Sequence, residues 1–323
     1  MEKVVVVTVT FNSSDFLEKC IDSLLKQTYP IYKIIVIDNH SDEVYAKRNS
    51  LLKSDSVEII YLETNTGGAG GFENGMRNAL KYTPDWIWLM DDDAFPNEDC
   101  LEKLLLKSNY PNIGCLCPAI YGRELCSFQT YHHKKIDWFF REKPVFPEYD
   151  QFPDCFEIDS NAFVGPLVKA SIIEKIGIAD GELFIYGDDT EYTFRISREY
   201  KVIVVKNAII THRDVIQVDS EYNYKMWWKE YYAYRNRLLL ISKYSHSFFQ
   251  RHLSLFLKTM SIRKRIVGTI IKKKYKGFKK IRINLLKRAI KDGFKIKKVK
   301  TIDHSEYIKS IRIKVDESKQ KKH

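Results

Sequence analysis

Three consecutive carboxylates, Asp91, Asp92 and Asp93, follow the apolar run 86–90. Adjacent carboxylates at a strand end repel one another, so they need either full solvation or a neutralising cation. An all-oxygen donor set suits a hard divalent ion such as Mg²⁺ or Mn²⁺. Such an ion can bridge the two phosphates of a nucleoside diphosphate and stabilise it as a leaving group. The competing reading is a solvated acidic turn that caps a helix starting near Pro96.

A second acidic group, Asp188-Asp189-Thr190-Glu191, follows Tyr186-Gly187 and precedes Arg195. A carboxylate beside a cleft can take a proton from a hydroxyl. Asp188 or Asp189 can equally cap a helix over 189–199, with Glu191 favourable in its first turn. Both roles fit together if one residue caps and the other acts. His212 comes after a strand pattern at 202–205. A lone histidine is more often structural than a ligand, but its place in an acidic body makes it a candidate for the metal. The loop Asn65–Phe72 carries Gly67, Gly68, Gly70 and Gly71. Such glycines let backbone approach a ligand, and amides opening the next helix can meet a phosphate. The loop lacks the spacing and lysine of a P-loop.

These groups need elements to hold them. Residues 4–9, VVVVTV, predict a strand buried on both faces. A helix should follow, with Asp15 and Glu18 as a capping box and Leu17, Ile21, Leu24 and Leu25 as its apolar face. Further strands are predicted at 33–37, 57–62 and 86–90. Strands alternating with helices make a parallel α/β sheet of Rossmann type. Ligands on such sheets bind beyond the carboxyl ends of the strands, so Asn12, Asp38 and the three aspartates should converge on one crevice. Residues 113–121 and 156–167 read as less regular, partly extended segments. Residues 170–176 read as a short helix before Gly177. An aromatic-rich helix is expected over 222–244. Beyond it Phe249, Leu253, Phe256, Leu257, Met260, Val267 and Ile271 recur at helical spacing among Arg251, Lys258, Arg263, Lys264 and Arg265. That is a basic amphipathic pattern, with Gly268 leaving its continuity open.

The chain of 323 residues has a formal charge of +11, distributed very unevenly. Residues 251–323 hold 25 Lys and Arg against 5 Asp and Glu, a net of +20, which leaves −9 for the first 250. Such asymmetry points to an anionic partner for the tail, either nucleic acid or anionic lipid. Two domains follow: a catalytic body, 1–245, and a basic helical tail, 246–323. The 20 Tyr and 18 Phe suit a large core and could also stack on sugar rings. The six cysteines, Cys20, Cys100, Cys115, Cys117, Cys126 and Cys155, are expected to be free thiols in a reducing compartment. Cys115, Cys117 and Cys126 with His132 or His133 could hold zinc, but the spacing lacks a C-x-x-C knuckle. Neither a secretory leader nor a membrane-spanning run is expected.

In their order and spacing these pieces resemble family 2 glycosyltransferases of the GT-A fold, over residues 3–244. The pieces are VTVTFNSS, IIVIDNHS, the glycine loop, the three aspartates, GDDTEYTFR and THR. The resemblance implies that Thr10, Asn12 and Asp38 hold the base and ribose of a nucleotide sugar. The glycines at 67, 68, 70 and 71 would lie along the donor. Asp91 and Asp92 would contact donor ribose, and Asp91, Asp93 and His212 would bind the metal, Mn²⁺ or Mg²⁺. Asp189 would be the catalytic base of an inverting transfer. Tyr186, Asp188 and Glu191 would meet the acceptor; the family often has Trp where this chain has Tyr186. The loop NTGGAGGF is similar to a branch that includes galactofuranosyltransferases and some rhamnosyltransferases. Polymer-building members carry additional terminal domains, whereas this chain starts at its first strand and has a short basic tail, so one or a few sugar additions are expected.

The reading is therefore transfer of a sugar, with UDP-galactofuranose first and dTDP-rhamnose as alternative. The acceptor would be a glycan or lipid-linked glycan used in cell-surface polysaccharide. The basic tail would meet anionic lipid at the inner, cytoplasmic face of a membrane, or else pack on the body through its apolar stripe. Two rivals are a nucleotidyltransferase, which needs a basic glycine-rich signature that VTVTFNSSDF lacks, and a nucleic-acid-binding protein using the tail. No nucleic-acid partner is expected, because the body is acidic.

Overall fold

The computed structural model describes residues 1–213, 227–275 and 277–295, together with Tyr307. They fall into two compact units. The first takes the described residues of Met1–Asp137, Arg141–Glu182 and Asp188–Val215; the second takes those of Trp138–Phe140, Leu183–Gly187 and Ile216–His323. The division expected after residue 245 falls inside the second unit, because the aromatic helix before it packs with the helices after it.

The first unit runs β1 (Val4–Thr10), α1 (Ser14–Leu25), β2 (Lys33–Asp38), α2 (Glu43–Ser50), β3 (Val57–Tyr61), α3 (Gly67–Ala79), β4 (Trp86–Asp91), β5 (Ala94–Pro96) and α4 (Cys100–Leu105). It continues with β6 (Ile113–Gly122), β7 (Ser127–Phe128), β8 (Lys134–Ile136), β9 (Glu142–Pro144), β10 (Cys155–Ile158), β11 (Val164–Lys169), α5 (Ile173–Ile176), α6 (Asp188–Ser197) and β12 (Lys201–His212). The sheet order is β10-β12-β6-β11-β4-β1-β2-β3, with β5 on β12 and β7 on β6. β4, β1, β2 and β3 run parallel, as do β6 and β12. β11 and β10 run antiparallel to their neighbours. This is the α/β sheet expected, mostly parallel, with helices on both faces.

The valine run explains the layers. Alternate side chains of a strand point to opposite faces. Val4 and Val6 join Leu17, Ile21 and Leu24 of α1 and Leu101 and Leu104 of α4. Val5 and Val7 join Phe72 and Met76 of α3 and Tyr192 and Ile196 of α6. Burial on both faces is why the run is continuous rather than alternating.

Several local expectations change. Asp15 and Glu18 form no capping box; both carboxylates pair with Arg48 of α2 instead. Leu25 is exposed, one position outside the buried stripe of α1. Residues 113–121 are a regular strand, since β6 is central in the sheet and buried almost throughout. The segment 156–167 splits into β10 and β11. The aspartate turn caps no helix: it leads into β5, and α4 starts only at Cys100. Cys115 and Cys117 lie in the core with sulfurs 3.8 Å apart, Cys126 is exposed, and among the described residues these do not form a metal-holding group.

The second unit contains α7 (Trp227–Tyr244), α8 (Phe248–Ile271) and α9 (Lys279–Gly293). Residues 222–226 of the expected helix lie outside the described residues. Trp227, Trp228, Tyr231 and Tyr232 of α7 form a core with Leu285 and Ala289 of α9. Arg282 spans that interface with two bonds to Glu230, at 2.8 and 3.0 Å. Ser247 caps α8 by accepting from the Gln250 amide at 3.1 Å. α8 is continuous through Gly268. Its faces are unusual. Gln250, Ser254, Leu255, Thr259, Ile262 and Thr269 are buried, while Phe249, Phe256, Leu257, Val267 and Ile271 are exposed. Most of the apolar stripe read from the sequence therefore faces outward, with Leu253 and Met260 half-buried. No helix among the described residues is long and apolar enough to cross a membrane.

The glycine-rich stretch is not a loop but the opening of α3. Gly67 takes the left-handed φ of 73° that starts it. Farther along, a Cβ on Gly75 would stand 2.2 Å from Cγ1 of the buried Val7, so this glycine lets helix and sheet approach. A Cβ on Gly68 would meet nothing within 4 Å. Alanine is intrinsically better than glycine in a helix by about 1 kcal/mol, but overpacking a core costs about 1–3 kcal/mol. Gly75→Ala should therefore destabilise by about 1–2 kcal/mol, and Gly68→Ala should be neutral or slightly stabilising. Urea denaturation of the two variants checks this, and a Gly75→Ala protein as stable as Gly68→Ala would refute the packing argument.

Candidate active site and metal centre

The register of the parallel strands aligns their carboxyl ends. Thr10 lies opposite Asp38, and Val9 opposite Asp91. Asp91 ends β4, and Asp92 and Asp93 turn the chain into β5. His212 arrives from a distant part of the chain. β12 follows β6 in parallel, its register shifts between Val205 and Ile209, and its last residues pair antiparallel with β5. That pairing sets His212 opposite Ala94, beside Asp93. His212 Nε2 is 3.3 Å from Asp93 Oδ1. One ligand atom from each of Asp91, Asp93 and His212 lies within 4.8 Å of the other two. His212 therefore belongs to the strand itself, where sequence placed it after one.

The arrangement around His212 fits a metal ligand. Gln129 Oε1 lies 3.1 Å from His212 Nδ1 and 2.9 Å from His132 Nε2. An amide oxygen can only accept, so Gln129 orients the ring with Nδ1 as the donor and Nε2 facing Asp93. Burial, then the neighbouring His212, His133 and Lys134, hold His132 neutral by lowering its pKa strongly. Sequence reasoning missed Gln129, for it lies in an irregular segment that carries no motif.

Electrostatics agree. Burial, followed by the charges of Asp93, Asp92, Asp189 and Asp188, pushes Asp91 well above the usual carboxylate range. Asp92 is pushed up to about 7, first by burial, with the Thr10 and Ser13 hydroxyls favouring its ionised form. Asp188 is pushed up to about 8 by burial and then by Asp189. Five carboxylates thus share one partly enclosed place, and the charges of the other four oppose ionisation of Asp91. Two carboxylates and an imidazole nitrogen are a suitable donor set for Mn²⁺ or Mg²⁺, whose charge would offset that repulsion.

Asp188 and Asp189 open α6. Asp188 is buried, whereas Asp189 is partly exposed and its Oδ1 accepts from the Thr190 amide at 2.6 Å. The other expected residues divide into holders and open positions. Asp38 has no exposed surface, and its oxygens accept from the Ser41 amide and Asn49 Nδ2, both at 2.8 Å. It organises the turn after β2. Asn12, at φ 54°, links the β1 and β2 ends: its Oδ1 accepts from the Asp42 amide at 2.7 Å. Thr10 is enclosed beside Asp92. Glu191 is buried in a 2.9 Å ion pair with Arg195, so its carboxylate serves α6 rather than an open acceptor surface. Tyr186 is exposed and belongs to the second unit, where Asn236 Nδ2 donates to its carbonyl at 2.6 Å. Of the glycines, Gly70 packs on Thr66 and Gly71 on Val9, while Gly68 is open. Asn39 was not foreseen; its Oδ1 accepts from the Thr66 amide at 2.9 Å and its Nδ2 donates to Gly67 O at 2.9 Å. It bolts the start of α3 to the end of β2.

Residues 5–177, more than half of the chain, match the model of glycosyl transferase family 2, and the chain belongs to that family. Over 201 residues it is 31% identical to the galactofuranosyltransferase GlfT1 of Mycobacterium tuberculosis, covering 61% of this chain and 65% of that one. The match thus spans slightly less than two thirds of that relative. It is 24% identical over 219 residues to the dTDP-rhamnosyl transferase RfbF of Shigella flexneri, covering 65% of this chain and 71% of that one. In architecture it is similar to the mannosyltransferase PcManGT of Pyrobaculum calidifontis in complex with GDP-Man and Mn²⁺. There the TM-score is 0.52 at 13% identity, covering 92% of this chain and 88% of that one. The fold is GT-A.

The Gln129 contact gives a test of the metal centre that needs no substrate. Gln129→Leu should weaken Mn²⁺ binding by about 10–100-fold, as expected when the partner of a ligating histidine is lost. His212→Ala should abolish it. Calorimetric titration with Mn²⁺ checks both, and unchanged affinity in Gln129→Leu would remove Gln129 from the site.

Proposed function

We propose that this chain is an inverting glycosyltransferase that moves a sugar from a nucleotide donor to a hydroxyl of a glycan or lipid-linked glycan, in cell-surface polysaccharide synthesis. The first donor to test is UDP-galactofuranose, and dTDP-rhamnose is the alternative. What carries the reading is the group Asp91, Asp93 and His212 beside Asp188 and Asp189, at the strand ends of a family 2 fold.

Asp189 accepts the proton of the acceptor hydroxyl. The freed oxygen forms its bond to the anomeric carbon from the face opposite the diphosphate. The bond from that carbon to the phosphate oxygen breaks, and configuration inverts. Asp188, held towards its protonated form, leaves Asp189 as the more exposed carboxylate of the pair. The Thr190 amide fixes Asp189 in place. Asp91, Asp93 and His212 would hold a divalent cation, which supplies charge neutralisation at the leaving diphosphate. Asn39 and Asn12 keep the surrounding loops in register, so positioning is built before donor arrives.

Asp189→Asn should reduce transfer by at least about a thousandfold, within the range of lost general-base catalysis and lost electrostatic stabilisation. Donor binding should survive. A panel of nucleotide sugars, each with Mn²⁺, with Mg²⁺ and with EDTA, measures hydrolysis, transfer and binding together. Loss of donor binding in Asp189→Asn would move that residue to the donor side. Failure of the folded wild type to bind any nucleotide sugar would refute the function.

The second unit supports peripheral association with an anionic membrane at its inner, cytoplasmic face. Phe249, Phe256, Leu257, Val267 and Ile271 are exposed on α8, with the exposed Arg263 and Lys264 among them, in a segment of strong positive charge. Apolar side chains at the acyl boundary with cations at headgroups are the physics of an interfacial helix. An apolar outer arc favours lipid over nucleic acid, whose backbone calls for cations there. Phe249→Ser with Phe256→Ser should lower co-sedimentation with phosphatidylglycerol vesicles at least about tenfold, with transfer to a soluble acceptor kept. Unchanged sedimentation would exclude this face.

A further inference from the structure

The second unit holds a group of cations that the sugar-transfer reading does not use. Lys258 and Arg265 lie two turns apart on the α7-facing side of α8. Both reach the same ring: Lys258 Nζ is 5.4 Å and the Arg265 guanidinium 5.6 Å from the centroid of Tyr234 on α7. Arg237, one turn farther along α7, donates from Nη1 to the Phe140 carbonyl at 3.2 Å. The charges that act on Lys258 among the described residues are Arg237 and Arg265, both positive. Glu230, the carboxylate that Tyr234 feels, is engaged by Arg282 in the two bonds described above. Lys258 itself makes neither a hydrogen bond nor an ion pair among the described residues.

This is an unfavourable arrangement for the protein alone. Burial, then Arg237 and Arg265, lowers the Lys258 ammonium to about 8. Burial lowers Arg237 to about 10. Burial raises the Tyr234 phenol to about 12, so it keeps its proton and can donate. Like charges gathered in a half-buried place repel strongly, and an anion that pairs with them removes the cost. Arg265 is exposed and Lys258 partly so, which leaves the group reachable from solvent.

We propose that Lys258 and Arg265, which share the ring of Tyr234, bind a phosphate or diphosphate group together with Arg237, whose charge acts on Lys258. Guanidinium forks and an ammonium match phosphate oxygens in charge and geometry, and the Tyr234 hydroxyl adds a neutral donor. Two sources share that chemistry: the headgroup of an anionic phospholipid, or the diphosphate of a lipid-linked glycan. The exposed apolar residues on the same helix suit a ligand whose phosphate is joined to a hydrophobic chain. The site lies in the second unit and does not depend on the chain's transferase activity.

The test uses the full chain in EDTA, so that metal-assisted diphosphate binding at the aspartates does not contribute. Inorganic pyrophosphate is the first probe, read by calorimetry. The pair Lys258→Gln and Arg265→Gln should weaken it at least tenfold. Lys258→Gln alone should raise the melting temperature in phosphate-free buffer, because repulsion is relieved; a residue with only a packing role would lower it. Vesicles then separate the sources. Loss of binding to phosphatidylglycerol vesicles in the double variant assigns a phospholipid headgroup. Loss confined to neutral vesicles carrying a polyprenyl diphosphate assigns the lipid-linked diphosphate. Pyrophosphate affinity that is equal in wild type and double variant, or absent in both, overturns the site.

Discussion

Mutual repulsion among Asp91, Asp92, Asp93, Asp188 and Asp189 is the constraint to which the rest of the first unit answers. Two unit charges 4 Å apart cost about 4 kcal/mol at the effective dielectric of a protein surface. A chain free to relax would spread such groups into water. Here it cannot, because each is fixed by an element with its own reason to exist. β4 is held between β1 and β11 with its side chains buried. The Asp92–Asp93 turn is pinned when β5 pairs with β12. α6 is anchored through Tyr192 and Ile196 in the core below the sheet. Hydrophobic burial therefore supplies the free energy that keeps the acids together, and the acids in turn create a place where positive charge is strongly favoured.

That division of labour explains which parts were legible in sequence. The valine run, the helix stripe of Leu17, Ile21 and Leu24, and the strand ending in three aspartates are local patterns, and burial reads them directly. The convergence of strand ends follows from parallel topology, so Asn12, Asp38 and the three aspartates Asp91–Asp93 could be placed together from sequence. What was not legible depends on partners distant in sequence. Asp15 and Glu18 have capping-box spacing, yet Arg48 in another helix outcompetes the local amides. Gln129 has no motif; it matters because β12 brings His212 to it across 83 positions. The glycines suggested a ligand-cradling loop, but they open a helix, where Gly70 packs on Thr66 and Gly71 on Val9. Spacing cannot distinguish a close approach to a ligand from a close approach to one's own sheet.

The same distinction applies to residues that a family pattern assigns to substrate. Asp38 and Glu191 have the right types, yet each is enclosed and satisfied by protein, Asp38 by Ser41 and Asn49 and Glu191 by Arg195. Asp38 thereby holds the turn after β2, and Glu191 holds α6. Asp189 and Tyr186 differ physically, since both keep exposed surface. Motif position alone gives all four equal standing; burial and hydrogen bonding rank them.

Charge separates the two units as sharply as structure does. The first gathers carboxylates where a cation is required, and the second gathers cations where an anion is required. Like charges gathered in partly enclosed places raise the free energy of the empty protein, and a ligand of opposite charge relieves that cost, which is how preorganisation turns stability into affinity. A phosphate-bearing molecule answers both demands, as a metal-bound diphosphate at the aspartates and directly at Arg237, Lys258 and Arg265. The outward apolar arc of α8 adds a third demand, for a hydrophobic surface. The charges of the two units and the exposed face of α8 are thus three separate physical demands, for a cation in the first unit and for an anion and an apolar surface in the second.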